Sequence, residues 1–235
     1  MNLTENQIEA LYKFTRQHYV YHYDVQTELV DHLANDIEEI WQEYPKLSFE
    51  QARDKSFKKF GIFGFMDVIE AKQKQMNKRY WKIILRFVKE WFSFPKIAST
   101  VSFFLLLFLL LKIKYSEFLI VGVLIILSLI DFTGQLKRRK REKRIRKEKE
   151  KIFLLEAMIG QTKEGFSSIA LVNIVNFINL MKISFSSLEN HWLLLISFCV
   201  TLLSILFYVS NYVIPQKAQE LLQETYPEYK LVKNL

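Results

Sequence analysis

The chain is poor in several residue types, and each shortage excludes something. It has one cysteine, Cys199, inside an apolar run. A disulfide framework is therefore excluded, and nothing in the cysteine usage indicates an oxidising compartment. Six glycines and four prolines in 235 residues leave little for turns and loops, which favours long helices over strands. The first twenty residues contain no continuous apolar segment, so no cleavable signal peptide is expected there. HExxH, Cys/His clusters, Gly-rich phosphate loops and nucleophile–base constellations are absent from the sequence. No cofactor and no enzymatic activity are expected. The middle of each long apolar run also lacks Asp, Glu, Lys and Arg, which leaves a proton relay or ion-coupled site without support.

What is present is concentrated. Half of the residues are hydrophobic, and most of these follow position 95. Four runs are long or apolar enough to read as membrane spans: about Ile97 to Ile113, about Phe118 to Phe132, about Phe166 to Phe185 and about Trp192 to Ile214. The second is short for a hydrocarbon core of about 30 Å. Between the second and third lies a basic run, Lys137, Arg138, Arg139, Lys140, Arg141, Lys143, Arg144, Arg146, Lys147, Lys149 and Lys151, interrupted by Glu142, Glu148 and Glu150. Eleven positive charges minus three negative ones give +8, the formal net charge of the whole chain. The excess charge is thus local to one loop, and charge placed this way marks the cytoplasmic side. Lysines and arginines before the first span agree. The expectation is an integral membrane protein with two helical hairpins and both termini in the cytoplasm.

The organisation expected is all-α. A small cytoplasmic helical domain over 1–94 precedes a first transmembrane hairpin over 95–134. A basic cytoplasmic helical linker over 135–165 leads to a second hairpin over 166–214, and a cytoplasmic tail over 215–235 follows. In the first domain, Thr4 and Gln7 form a capping box for a helix to about His18. Leu29, Leu33, Ile37 and Ile40 recur at helical spacing from about Val25 to Glu43. Ser48 caps a third helix, expected to end at Gly61 with Ala52, Phe57 and Phe60 packed on the second. A fourth helix begins near Gly64. Residues Gln216 to Thr225 read as a short amphipathic helix, and Tyr226-Pro227-Glu228-Tyr229 as a mobile tail.

The residues Glu28-Leu29, His32-Leu33, Ile37-Glu38-Glu39, Ser48, Glu50, Ala52 and Phe60-Gly61 resemble the N-terminal helical domain called HAAS. They are similar also to the permease-prefix domain of bacterial transport proteins. The resemblance covers roughly residues 1–75 and is carried largely by a helix-packing pattern. It implies a small Bacteroidetes-like multi-span protein linked to PadR-like regulators or to transport and envelope-stress systems. One departure stands out: Tyr44-Pro45-Lys46-Leu47 occupies a turn where the family usually places glycine.

Three groups of residues are candidates for function. The first is the face of the second helix with Glu28, Asp31, His32, Asp36 and Glu39. Residues four apart converge on a helix, so Glu28, His32 and Asp36, with His18 or His22, could hold a metal. The simpler reading is local packing of His32 and solvated acids, a surface for a protein partner, and no metal is expected. The second is the basic run, with Arg138, Arg139, Arg141, Arg144 and Arg146 as contacts for a partner or an anionic lipid. Nucleic acid is disfavoured because aromatics and glycines are not interleaved with the charges. The third is a polar seam, Asn173, Asn176 and Asn179 in the third span and Ser197, Thr201, Ser204, Tyr208 and Asn211 in the fourth. Polar groups in hydrocarbon need partners, which a helical hairpin or a homo-oligomer would supply. The function expected is that of a signalling, regulatory or adaptor protein acting through its helical head. The alternative is an accessory subunit or small homo-oligomeric component of a transport system.

Overall fold

The computed structural model describes residues 3–122, 125, 140, 151–165 and 184–233. The described residues form helices and no β-strand; the one β-bridge joins His22 and Ile152. The all-α expectation therefore holds. The chain divides into two units. One comprises Met1–Tyr80, Lys149–Ala157 and Glu228–Leu235, and the other Trp81–Glu148 and Met158–Pro227.

The first unit, termed the head, is built on α1 (Glu5–Gln17), α2 (Tyr23–Glu43), α3 (Phe49–Lys58) and the first part of α4 (Met66–Trp91). The expected capping box at Thr4 is formed, with Thr4 N donating to Gln7 Oε1 at 2.8 Å; Ser48 caps α3 as expected and does so through a second box, with Ser48 N donating to Gln51 Oε1 at 3.0 Å. The ridge Leu29, Leu33, Ile37 and Ile40 is buried, with Leu11 of α1 and Ala52 of α3. Burying each such aliphatic side chain contributes roughly 1.5–3 kcal/mol. Between α1 and α2 the chain turns sharply. Tyr19 N donates to Arg16 O and Val20 N to Thr15 O, both at 3.2 Å. This is a Schellman cap, with Tyr19 at φ 67° in the left-handed position where glycine is usual. Gln26 Nε2 ties the turn to α2 through Val20 O at 2.6 Å.

One detail departs from expectation. α3 stops at Lys58 and not at Gly61, because Lys59, Phe60 and Gly61 bond to Ser56, Phe57 and Lys58 in tight i−3 turns. Gly61 still adopts the left-handed region, at φ 79°. The Phe57 ring also contacts Phe14, His18, Phe60 and Phe65. That aromatic nest closes the head between α1, α3 and the start of α4.

In the second unit α5 (Lys96–Leu111) packs against α7 (Asn190–Tyr208). Leu111, at the end of α5, clusters with Leu193 near the start of α7 and with Phe185. At the opposite ends, Trp91 lies 5.0 Å from Tyr208 and donates to Thr100 Oγ1 at 3.1 Å. The two helices are therefore antiparallel. Both are apolar all round, and their outward faces expose Phe103, Leu105, Leu106 and Leu109 on α5 and Leu194, Leu195, Phe198 and Leu203 on α7.

The sequence closes the fourth span, about Trp192 to Ile214, at Pro215; the helix instead runs on to Gln216. Proline cannot donate to the carbonyl four residues back. The chain accommodates this with a π-turn over Val209–Val213, in which Ile214 N bonds Val209 O. Helix then resumes as the short α8 (Ile214–Gln216) and, after Lys217, as α9 (Ala218–Thr225). Asn190–Gln216 is long and apolar enough to cross a membrane. α4 and α5 meet that criterion only jointly and are bent by 90° at their break. The second and third expected spans lie largely outside the described residues, as does most of the basic run.

Candidate functional site

The acidic face of α2 is the first site expected from sequence. Its residues do not converge. Glu28 pairs with Lys72 of α4 at 2.6 Å, and Asp36 pairs with Lys59 beyond α3. Burial alone would raise the Asp36 carboxyl, but the Lys59 ammonium bonded to it holds it below its usual value. Each of these half-exposed pairs contributes at most about 1 kcal/mol. Asp31, His32 and Glu39 remain exposed. Among the described residues no group of His, Cys, Asp or Glu is arranged to hold a metal ion. His18 packs on Phe14 and Phe57 at 4.3 and 4.5 Å, with Nδ1 2.9 Å from Phe14 O.

A second constellation on the head was not anticipated. The segment following the basic run enters the head at the start of α2. Tyr23 N donates to Ile152 O at 2.8 Å, and Leu154 N donates to Asp24 Oδ1 at 2.9 Å. Asp24 thus caps α6 (Leu154–Gly165) from a distant part of the chain and sets a negative charge at its positive end. Phe153 is fully buried, with its ring 5.4 Å from Tyr23 and 5.2 Å from Tyr229. Tyr12 stacks on the far side of Tyr23 at 6.3 Å. Tyr229 begins α10 (Tyr229–Lys233), whose Lys233 pairs with Glu156 at 3.1 Å while Val232 is buried. The expectation of a mobile tail is corrected here: an aromatic ring, an aliphatic side chain and an ion pair anchor it. Burial and the neighbouring Glu156 charge raise the Tyr229 hydroxyl above its ordinary value.

Beside this junction lies a small cavity of about 100 Å³ lined by Tyr19, Val20, Tyr21, His22, Val25, Ile69, Gln73 and Leu154. Burial pushes the His22 imidazole below its ordinary value of 6.5, and Asp24 opposes this only in part. Two predictions follow from these contacts. Asp24→Ala, which leaves Leu154 N without its acceptor, is expected to lower head stability by about 1 kcal/mol in denaturant melts. His22 binds a proton more weakly folded than unfolded. Its contribution is therefore complete above pH 6.5 and is lost as the pH falls below that value and through the folded one. Melting temperature measured across that window should fall toward acid, and His22→Gln should flatten the slope.

The polar seam of the last helix is bonded within the helix itself. Ser197 Oγ donates to Leu193 O and Thr201 Oγ1 to Ser197 O, both at 2.7 Å. Ser204 Oγ reaches Val200 O at 2.8 Å, and Asn211 Nδ2 reaches Phe207 O at 2.9 Å. Tyr208 stacks on Tyr212 at 5.4 Å. Ser197 and Thr201 are buried, and Ser204 is half-buried. The other residues expected to act, Asn173, Asn176 and Asn179 and Arg138, Arg139, Arg141, Arg144 and Arg146, lie outside the described residues.

No family model, no curated protein and no solved structure matches the chain. Functional argument therefore rests on the geometry of the head and of the apolar helices.

Proposed function

We propose that the chain is a multi-span membrane protein acting non-enzymatically as a signalling or adaptor protein, with its head presenting a surface to a protein partner in the cytoplasm or membrane. The observation that carries this reading is the composition of the head. It gathers chain from before the first apolar run, from between the middle two and from after the last. Segments that share hydrogen bonds and a buried phenylalanine must lie on one side of a bilayer. The chain then crosses an even number of times between 80 and 149, and again between 157 and 228. Asn190–Gln216 supplies one crossing. The expected span from about Phe166 to Phe185, outside the described residues, would supply its partner. The basic run leads directly into Lys151 and the head, which supports a cytoplasmic head.

This arrangement suits signalling. Two connections from the membrane region, at Phe153 and at Tyr229, are clamped against the same Tyr23 end of α2. A partner on the head would bias both. Asp31, His32 and Glu39 are exposed on α2, where such a partner could reach them. The HAAS resemblance belongs to the same proposal. The transport alternative draws less support, because Ser197, Thr201 and Asn211 spend their donors on their own helix.

The test is affinity purification in mild detergent from native membranes, with the wild-type chain and with Asp31→Lys/Glu39→Lys. A partner recovered with the first and lost with the second is the expected result. Identical proteins recovered with both, or a discrete homo-oligomer with no partner in either, would overturn the adaptor reading; the second result would favour transport.

A further inference from the structure

The α3–α4 loop, Phe60-Gly61-Ile62-Phe63-Gly64-Phe65, sorts its apolar residues into two sets. Phe60 and Phe65 turn inward, 4.9 Å apart, and Phe65 is buried in the aromatic nest. Ile62 and Phe63 turn outward and are 98% and 70% exposed. Met66, which follows, is 54% exposed. The backbone imposes this sorting. Gly61 and Gly64 both have positive φ, 79° and 55°. A Cβ at Gly64 would meet Phe57 Cζ at 2.8 Å, so the loop is pressed onto the nest and its tip is held out rigidly. Large apolar side chains this exposed on an ordered, glycine-bracketed loop cost solubility without contributing to the core.

The loop segment itself carries only positive charge. From Lys55 to Met66 the chain carries Lys55, Lys58 and Lys59 and no acid. Lys58 and Lys59 are exposed; Lys59 is paired with Asp36, which leaves Lys58 as the cation turned to solvent beside the tip. Lys55 Nζ lies 3.4 Å from the centre of the Tyr44 ring. The first acid, Asp67, sits in the first turn of α4, where it complements the helix dipole. An apolar tip flanked by lysines fits an anionic interface, with the side chains among the acyl chains and the ammonium groups at the phosphates. Only residues 217 to 227 separate the end of the crossing helix from the tail residues held in the head, which keeps the head tethered to the bilayer.

We infer that the Gly61–Gly64 loop inserts Ile62 and Phe63 into the anionic surface of the membrane that the chain itself spans. The inference rests on the membrane part of the proposed function and goes beyond it. The head would then be held at the bilayer by an attachment additional to its covalent connections.

The test uses the full chain with Cys199→Ala, reconstituted into phosphatidylcholine vesicles with or without phosphatidylglycerol. A single cysteine, introduced by Ile62→Cys, carries an environment-sensitive maleimide dye. Expected are a blue-shifted emission and quenching by lipids brominated on the acyl chain, stronger with phosphatidylglycerol and weakened by Lys58→Glu. The same dye at Lys46→Cys, on the exposed turn after α2, should stay unquenched. A dye at Leu203→Cys on the crossing helix reports the membrane reading separately. Quenching at position 203 but not at 62 overturns the loop inference alone, and quenching at neither overturns both. A dye at position 62 shielded from iodide only in native membranes, and never lipid-quenched, overturns the bilayer as occupant and assigns the tip to a protein.

Discussion

Replacing Phe153 by alanine is expected to lower the stability of the head by about 3–5 kcal/mol, the range for removing a buried aromatic ring. A domain of ordinary stability has only about 5–15 kcal/mol in total. The effect follows from position. Phe153 is completely buried, and its ring touches both Tyr23 of α2 and Tyr229 of α10. Its loss opens a cavity between three segments that are distant in sequence. The expected consequence is therefore not confined to the melt. The tail should become sensitive to protease near Lys230 and Lys233 in the variant and remain resistant in the wild type. Phe153→Leu, which keeps most of the volume, should lose much less. If 149–157 were only a solvated linker between spans, Phe153→Ala would leave both the melt and the protease pattern unchanged.

The second large effect is expected at Trp41. Its ring is nearly buried, and Nε1 donates to Leu47 O at 3.1 Å. This bond fixes the turn Tyr44-Pro45-Lys46-Leu47, whose own backbone bond, Leu47 N to Tyr44 O, measures 3.1 Å. Lys55 over the Tyr44 ring holds the turn from the α3 side. Trp41→Ala removes the ring and the donor together and should cost about 3–5 kcal/mol. Trp41→Phe keeps much of the packing and leaves one carbonyl without its partner, for about 0.5–1.5 kcal/mol. Thermal melts of both variants in detergent check the separation. Equal losses would mean that the hydrogen bond, and not the packing, sets the turn. The turn is thus stabilised by a tryptophan that reaches back over it.

The head was legible in the sequence where its order is local. Leu29, Leu33, Ile37 and Ile40 announce α2 because a 3.6-residue period repeats over about three turns. Thr4 with Gln7, and Ser48 with its first turn, announce their helices because a cap acts within three residues. What was not legible is order imposed from far away. Ile152-Phe153-Leu154-Leu155 is too short for a period, and it follows a charged run that reads as solvated. Its partners, Tyr23 and Asp24, lie some 130 positions earlier. The tail was misread for the same reason: Tyr229 and Lys233 look like solvent-facing residues until Phe153 and Glu156 are placed beside them. The candidate site changed accordingly. Glu28 and Asp36 read as a free acidic face because Lys72 and Lys59, which occupy them, belong to α4 and to the turn after α3. Pro215 reads as a stop because sequence rules weigh the lost hydrogen bond and not the π-turn that replaces it.

The account depends most directly on one claim, that the head, the segment at Phe153 and the tail lie on the same side of the membrane. The measurement is labelling of single cysteines with a membrane-impermeant maleimide in intact cells and after permeabilisation, in the Cys199→Ala background. The positions are Lys46→Cys on the head, Lys230→Cys on the tail and Ser187→Cys ahead of the crossing helix. The predicted result is labelling at 187 in intact cells, and at 46 and 230 only once the membrane is opened. Labelling of 46 and 230 from opposite sides, or protection of 187 together with the head, would contradict the account.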